Sequence, residues 1–242
     1  MASLVAATLE AGYLPPIVPE FLSITVGGAF SGTAAESSSW KYGYFDRCVR
    51  KVEMVLGDGR VVVASKEQNK ELFLAAAGAC GTLGVATLFE IGLVKAQRWV
   101  RVEYLPVYSF SAAIALMDKC ISERSYDYID GIMYAANMGV IVVGKLTVEK
   151  GEGVPVQRFS RWRDPWFYHH AHGQVAHRRG TYCNTCGIMG SRNPGLAIEG
   201  NAVEMVPVED YFFRYDRGSF WLGGHGWYVL SFVLAKRYSA YR

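Results

Sequence analysis

Nowhere does this sequence carry the run of ~20 apolar residues that a helix needs to cross a bilayer. Its best stretch, Trp227 to Ala235, reaches only about half of that length. A secretory leader is missing too. Met1-Ala-Ser-Leu-Val-Ala-Ala-Thr-Leu-Glu10 has no basic start and reads as an amphipathic helix. Charge of one sign is scarce: a formal net charge of +3, spread along the chain, argues against nucleic acid as a partner. The Arg158 to Trp166 stretch mixes arginine with tryptophan but carries no RNA-binding motif. The nucleotide fingerprints G-x-G-x-x-G and G-K-S/T are both absent.

Metal ligation is thinly supported. Cys183-x-x-Cys186 has no second pair to complete a tetrahedral site, although His169, His170, His172 and His177 lie upstream. Two ordinary thiols in a loop suffice, and no metal is assigned. Five cysteines, an odd number, fit reduced thiols and an intracellular setting.

What the sequence does contain is a long stretch of small residues, Thr25-Val-Gly-Gly-Ala-Phe-Ser-Gly-Thr-Ala-Ala-Glu-Ser-Ser-Ser-Trp-Lys-Tyr-Gly43. Such a segment cannot form a core alone. It serves either as a tight loop between packed elements or as a cradle that brings backbone N–H groups close to an anion. Thr33 to Trp40 is predicted to close with a short helical turn.

Elsewhere the periodicities are ordinary. A helix over Met1 to Ala11 stops at Gly12, and the prolines of Tyr13 to Pro19 demand extended chain. Arg47 to Val63 reads as a hairpin turning at Gly57-Asp58-Gly59. A helix over Glu67 to Ala77, a glycine turn over Gly78 to Gly84 and a strand over Val85 to Val94 follow. The character changes near Lys95 to Arg98. Strand, helix, strand, strand are predicted over Arg98–Pro106, Ser109–Ile121, Tyr126–Tyr134 and Val140–Val148.

Several of these residues resemble one family. Thr25-Val-Gly-Gly28, Gly32-Thr33, Glu36-Ser-Ser-Ser39, Lys41-Tyr-Gly43, Cys80-Gly-Thr-Leu-Gly84 and Asp164-Pro-Trp-Phe167 are similar to stretches of the delta(24)-sterol reductases. So are Val206-Pro-Val208, Asp210-Tyr211, Arg214, Arg217 and Phe220-Trp221. That family lies in the vanillyl-alcohol-oxidase class of FAD proteins. The resemblance implies an α+β fold: the second subdomain of a PCMH-type FAD-binding domain over residues 1–96, then an α/β substrate cap over residues 97–242. It also implies a chain truncated before its first flavin subdomain and membrane anchor, with an insertion near residues 180–202.

By the same resemblance FAD is the cofactor and NADPH the electron donor. A sterol or other apolar small molecule is the substrate, and the endoplasmic reticulum membrane is the location. The cofactor contacts would be Thr25, Val26, Gly27, Gly28, Ala29, Phe30, Ser31, Gly32, Thr33, Ala34, Ala35, Glu36, Ser37, Lys41, Gly81, Thr82 and Gly84. A reduced alkene also needs a proton. Tyr211 is the candidate donor, with Arg214 to stabilise the phenolate. The family's histidines are replaced at Phe213 and Tyr215. The aromatics Tyr104, Tyr108, Tyr126, Tyr128 and Tyr134 are candidate lining of an apolar cap. Two rival readings stand beside this one: an FAD oxidase or dehydrogenase acting on an alcohol or sugar, and a non-catalytic chain that keeps only the fold.

Overall fold

A computed structural model describes residues 1–176 and 202–217. Helix α1 (Ala2–Glu10) buries Val5 and Thr8 and ends at Gly12, whose φ of 80° suits a residue without Cβ. The chain then runs extended, and its short strand β1 (Tyr13–Leu14) pairs antiparallel with Val94–Lys95. Helix α2 (Val26–Ser31) and a further turn, α3 (Ser39–Tyr42), follow. A 3-10 turn over Phe45–Cys48 leads into the first sheet.

Strands β2 (Val49–Val55) and β3 (Val61–Ser65) form the expected hairpin, with Gly59 at a φ of 84° in the turn. Beyond a register shift at Arg50, β2 alternates. Val52, Met54 and Ala64 are buried, while Arg50 and Lys51 face water. Helix α4 (Lys70–Ala76) comes next, then β4 (Val85–Ile91), which pairs with the other side of β2. Phe73 of α4 and Phe89 of β4 both pack on Phe30 of α2, with ring centroids 6.3 and 5.3 Å away. Each such buried ring contributes roughly 1.5–3 kcal/mol. Apolar packing beneath α2 therefore fixes its place on the sheet.

After β5 (Val94–Lys95), strand β6 (Trp99–Val107) opens a four-stranded sheet of order β7-β8-β6-β9. Helix α5 (Phe110–Glu123) starts where the Ser109 hydroxyl accepts from the Ala112 amide at 3.1 Å. Strands β7 (Tyr128–Ala135) and β8 (Met138–Thr147), helix α6 (Phe167–Ala176), strand β9 (Ala202–Pro207) and the short α7 (Val208–Phe212) complete the described fold. Pro106 has no N–H to donate and lies past the last rung that β6 shares with β9, Tyr104 with Ala202.

The sheet is covered on both faces. Ala113 and Cys120 of α5 pack on Val107, Ile129, Ile141 and Val143. On the other face Val100, Val102, Tyr104, Val142 and Val206 join α6, α7 and the front of the chain in one apolar cluster. Gly144 makes this possible: a Cβ there would stand 2.9 Å from Val100 Cγ1 and 3.1 Å from the Tyr211 hydroxyl. The architecture is α+β with antiparallel sheets, as expected from the sequence. Cys183, Cys186, His177, the suggested insertion and the Phe220-Trp221 pair lie outside the described residues.

Candidate functional site

The small-residue stretch is not a loop at its centre, contrary to expectation. Thr25 sits in extended conformation as the N-cap of α2, and its hydroxyl accepts from the Gly28 amide at 2.9 Å. Glycine disfavours helix by about 1 kcal/mol per residue. The cap and the burial of Ala29 and Phe30 outweigh that here. Val26 and Gly27, in the first turn, keep amides that no helical carbonyl can reach. Gly32 ends the helix, since a Cβ there would meet the Gly28 carbonyl at 2.9 Å. The predicted turn over Thr33 to Trp40 is displaced toward Ser39–Tyr42.

A second glycine turn, Gly78 to Gly84, is brought against α2 by backbone bonds. The Gly78 amide donates to the Phe30 carbonyl at 3.2 Å and the Cys80 amide to that of Ser31 at 2.9 Å. Gly81, at a φ of 77°, has open space where a side chain would go. Gly84 differs. Its missing Cβ would lie 2.5 Å from the Val55 carbonyl, so packing on β2 already accounts for glycine there. Thr25, Gly28, Gly32, Thr33 and Ala35 are exposed beside Gly81 and Thr82. Two stretches far apart in sequence thus form one exposed surface of small residues and hydroxyls.

The next candidates are engaged within the protein. Glu36 accepts from the Ser37 hydroxyl and the Ser38 amide, each at 2.8 Å, and also from the Ser38 hydroxyl. Burial pushes its carboxyl up, against those hydrogen bonds. Lys41 pairs with Asp127 at 2.9 Å, so its charge is directed to the start of β7.

Arg214 is fully buried. It donates to the Tyr211 carbonyl at 2.8 Å, to Asp130 at 3.1 Å, and to Glu20 and the Ser37 hydroxyl at 3.3 Å. The rings of Tyr211, Tyr215 and Phe167 stack around it at 4.2, 4.8 and 5.2 Å. Tyr215 donates to Asp130 at 2.7 Å. Burial, eased by Arg214 and reinforced by Asp130 and Glu36, lifts the Glu20 carboxyl to about 7. Tyr211 is itself fully buried, its hydroxyl has no partner among the described residues, and burial raises its pKa. That is a poor setting for a phenol that must release a proton.

Spacing gave no hint of Glu20 or Asp130, and it set His170 only beside the cysteine pair. Of the aromatics assigned to the cap, Tyr104 and Tyr128 are buried, Tyr126 and Tyr134 half-buried and Tyr108 exposed. Among the described residues no helix is long and apolar enough to cross a membrane.

Comparison with known proteins bears on this surface directly. Residues 1–65, which include α2 and the Glu36 cluster, match the family described as FAD binding domain. The delta(24)-sterol reductase of Homo sapiens is 29% identical over 221 residues, covering 91% of this chain and 39% of the human protein. That of Arabidopsis thaliana is also 29% identical, over 234 residues, 92% of this chain and 38% of the plant protein. Cytokinin dehydrogenase 9 of Oryza sativa is 34% identical over 137 residues, 55% of this chain and 26% of the rice protein. The chain thus spans about two-fifths of the length of the sterol reductases it matches. The resemblance read from the motifs is borne out: along most of its length this chain is similar to the delta(24)-sterol reductases, and its front carries a match to the FAD binding domain.

Proposed function

We propose that this chain is an FAD-dependent oxidoreductase that reduces a carbon–carbon double bond in a sterol side chain, with NADPH supplying the electrons. The observation that carries the reading is the joining of α2 to the Gly78–Gly84 turn, within and beside the segment matched to the FAD binding domain. That surface fits the cofactor chemically. It offers exposed glycines, the free first-turn amides of Val26 and Gly27, and the hydroxyls of Thr25, Thr33 and Thr82. Thr25 to Ser37, Gly81 and Thr82 would hold the dinucleotide, with Gly84 seating their turn on β2. Ala29 and Phe30 would do so indirectly, as the packing beneath α2.

When bound, FAD supplies hydride chemistry, and the protein supplies position and electrostatics. Residues 1–96 serve as the cofactor-binding part and residues 97–242 as the substrate cap. Arg214, held among three rings and two carboxylates, fixes the cap face against the front of the chain. Association with the endoplasmic reticulum membrane belongs to the same proposal.

The partial similarity to a cytokinin dehydrogenase favours one second reading, oxidation of an alcohol or sugar through the same flavin surface. Sterol-dependent NADPH consumption by the purified chain supports the first reading. Hydrogen peroxide formed from an alcohol or sugar supports the second. A colourless protein that gains no flavin absorbance on addition of FAD contradicts both.

A further inference from the structure

Tyr211 is sealed inside the cap, yet an unpolarised alkene that accepts hydride must also receive a proton. Another titratable cluster stands on the same face of the four-stranded sheet. His170 of α6 places Nε2 at 2.8 and 2.9 Å from the two carboxylate oxygens of Glu204 on β9. A carboxylate only accepts, so Nε2 carries the proton and, in the neutral ring, Nδ1 is bare. Tyr104 of β6 donates to Glu204 at 3.1 Å, and the Gln174 amide, one turn along α6, lies 3.2 Å from Nε2 and 3.3 Å from Glu204; with Nε2 protonated, it is the carboxylate that accepts from it.

Burial first, and Glu204 second, push the Tyr104 phenol well up, so it remains a donor. The Tyr104 and Phe159 rings close on the imidazole edge-on, at 5.8 and 5.4 Å. His170 keeps 15% of its side chain exposed and Glu204 keeps 10%. Nδ1 has no hydrogen-bond partner among the described residues and is not sealed from solvent. The other imidazoles of the helix lie elsewhere, His169 on Trp166 and His172 on Tyr134. One ring nitrogen is therefore locked by a carboxylate that a tyrosine and an amide hold in turn, and the other is open.

We propose that His170 and Glu204 form an acid–base dyad of this protein, with His170 the proton-transferring group and Glu204 its positioning residue. The inference rests on the alkene-reduction reading above. With reduced FAD bound, the flavin would supply the hydride that one alkene carbon takes. The π pair forms the second C–H bond with the proton that leaves Nδ1 of the imidazolium. His170 is left neutral, Glu204 stays a carboxylate, and solvent returns the proton.

The first test needs no activity. The ¹⁵N spectrum of the purified full chain should show neutral His170 as the Nε2–H tautomer, a preference lost in Glu204→Leu and kept in Glu204→Gln. The second uses the flavin-loaded chain. His170→Gln should retain flavin absorbance, lose turnover about 100-fold, and lose the acid-dependent limb of its pH–rate profile. Glu204→Gln should lower kcat about tenfold with KM unchanged, as expected for a group that acts through another. His172→Gln, on the same helix, should match the parent. An Nδ1–H tautomer, or His170→Gln turnover and pH profile equal to the parent's, would overturn the dyad and leave a mere tie between α6 and β9. A wild-type chain that binds no flavin would instead bring down the redox reading on which the proton transfer depends.

Discussion

The glycine-rich front and the buried polar cluster around Arg214 are built by opposite means. At the front, backbone meets backbone: α2 and the Gly78–Gly84 turn touch through Gly78 and Cys80 amides, and side chains are mostly missing. Around Arg214, side chains make the long-range contacts. Arg214 reaches Glu20 across 194 positions of sequence and Asp130 across 84. The first design leaves a surface open to a ligand. The second spends buried charge to hold distant segments in register, with each charge dependent on its partners.

The sharpest way to break this contrast is to remove the central cation. Arg214→Ala leaves Glu20 and Asp130 partly buried without their counter-charge, and should destabilise the fold by about 3–5 kcal/mol in urea denaturation. A loss below ~1 kcal/mol would mean that the cluster is solvated rather than load-sharing. Next comes the pair of turn glycines. Gly84→Ala drives a Cβ to 2.5 Å from the Val55 carbonyl and should lower stability by about 1–3 kcal/mol. Gly81→Ala meets only its positive φ and should lose about 1 kcal/mol, by the same denaturation assay. Equal losses would erase the distinction between packing and ligand access drawn here. Thr25→Ala removes the α2 cap and should reduce stability by ~1 kcal/mol, read from the thermal midpoint.

The smallest effect concerns pH. A carboxyl raised from its ordinary range to about 7 binds its proton more tightly when folded. Its contribution is fully present below about pH 4.5 and is lost as pH rises through 7. Glu20→Gln should therefore flatten the fall in thermal midpoint between those values. An unchanged slope would assign the titration to another group.

Much of the scaffold was legible in the sequence, because period and turn chemistry are local. Asp58-Gly59 marked the hairpin, Leu72, Phe73 and Ala76 marked one face of α4, of which Phe73 and Ala76 are buried and Leu72 half-buried, and Ser109 marked the start of α5. Glycine propensity misled at Val26–Ser31, where a threonine cap and the packing of Phe30 impose helix on residues that disfavour it. Tyr211 and Arg214 were visible as a motif, but their burial was not. Glu20, Asp130 and Glu204 had no signal, and His170 stood out only beside the weak metal motif, since only the folded sheet brings them to their partners.

The central claim is that the small-residue surface formed by α2 and the Gly78–Gly84 turn receives FAD. The most direct measurement is titration of the purified chain with FAD, followed by flavin fluorescence, in parallel with Gly28→Val and Lys41→Ala. A Cβ at Gly28 stands on the open side of α2 and meets only the Thr25 hydroxyl, at 3.0 Å. Saturable quenching by the parent and Lys41→Ala, lost in a Gly28→Val chain with an unchanged circular dichroism spectrum, is the predicted result. No binding by the parent, or binding undiminished in Gly28→Val, would contradict it.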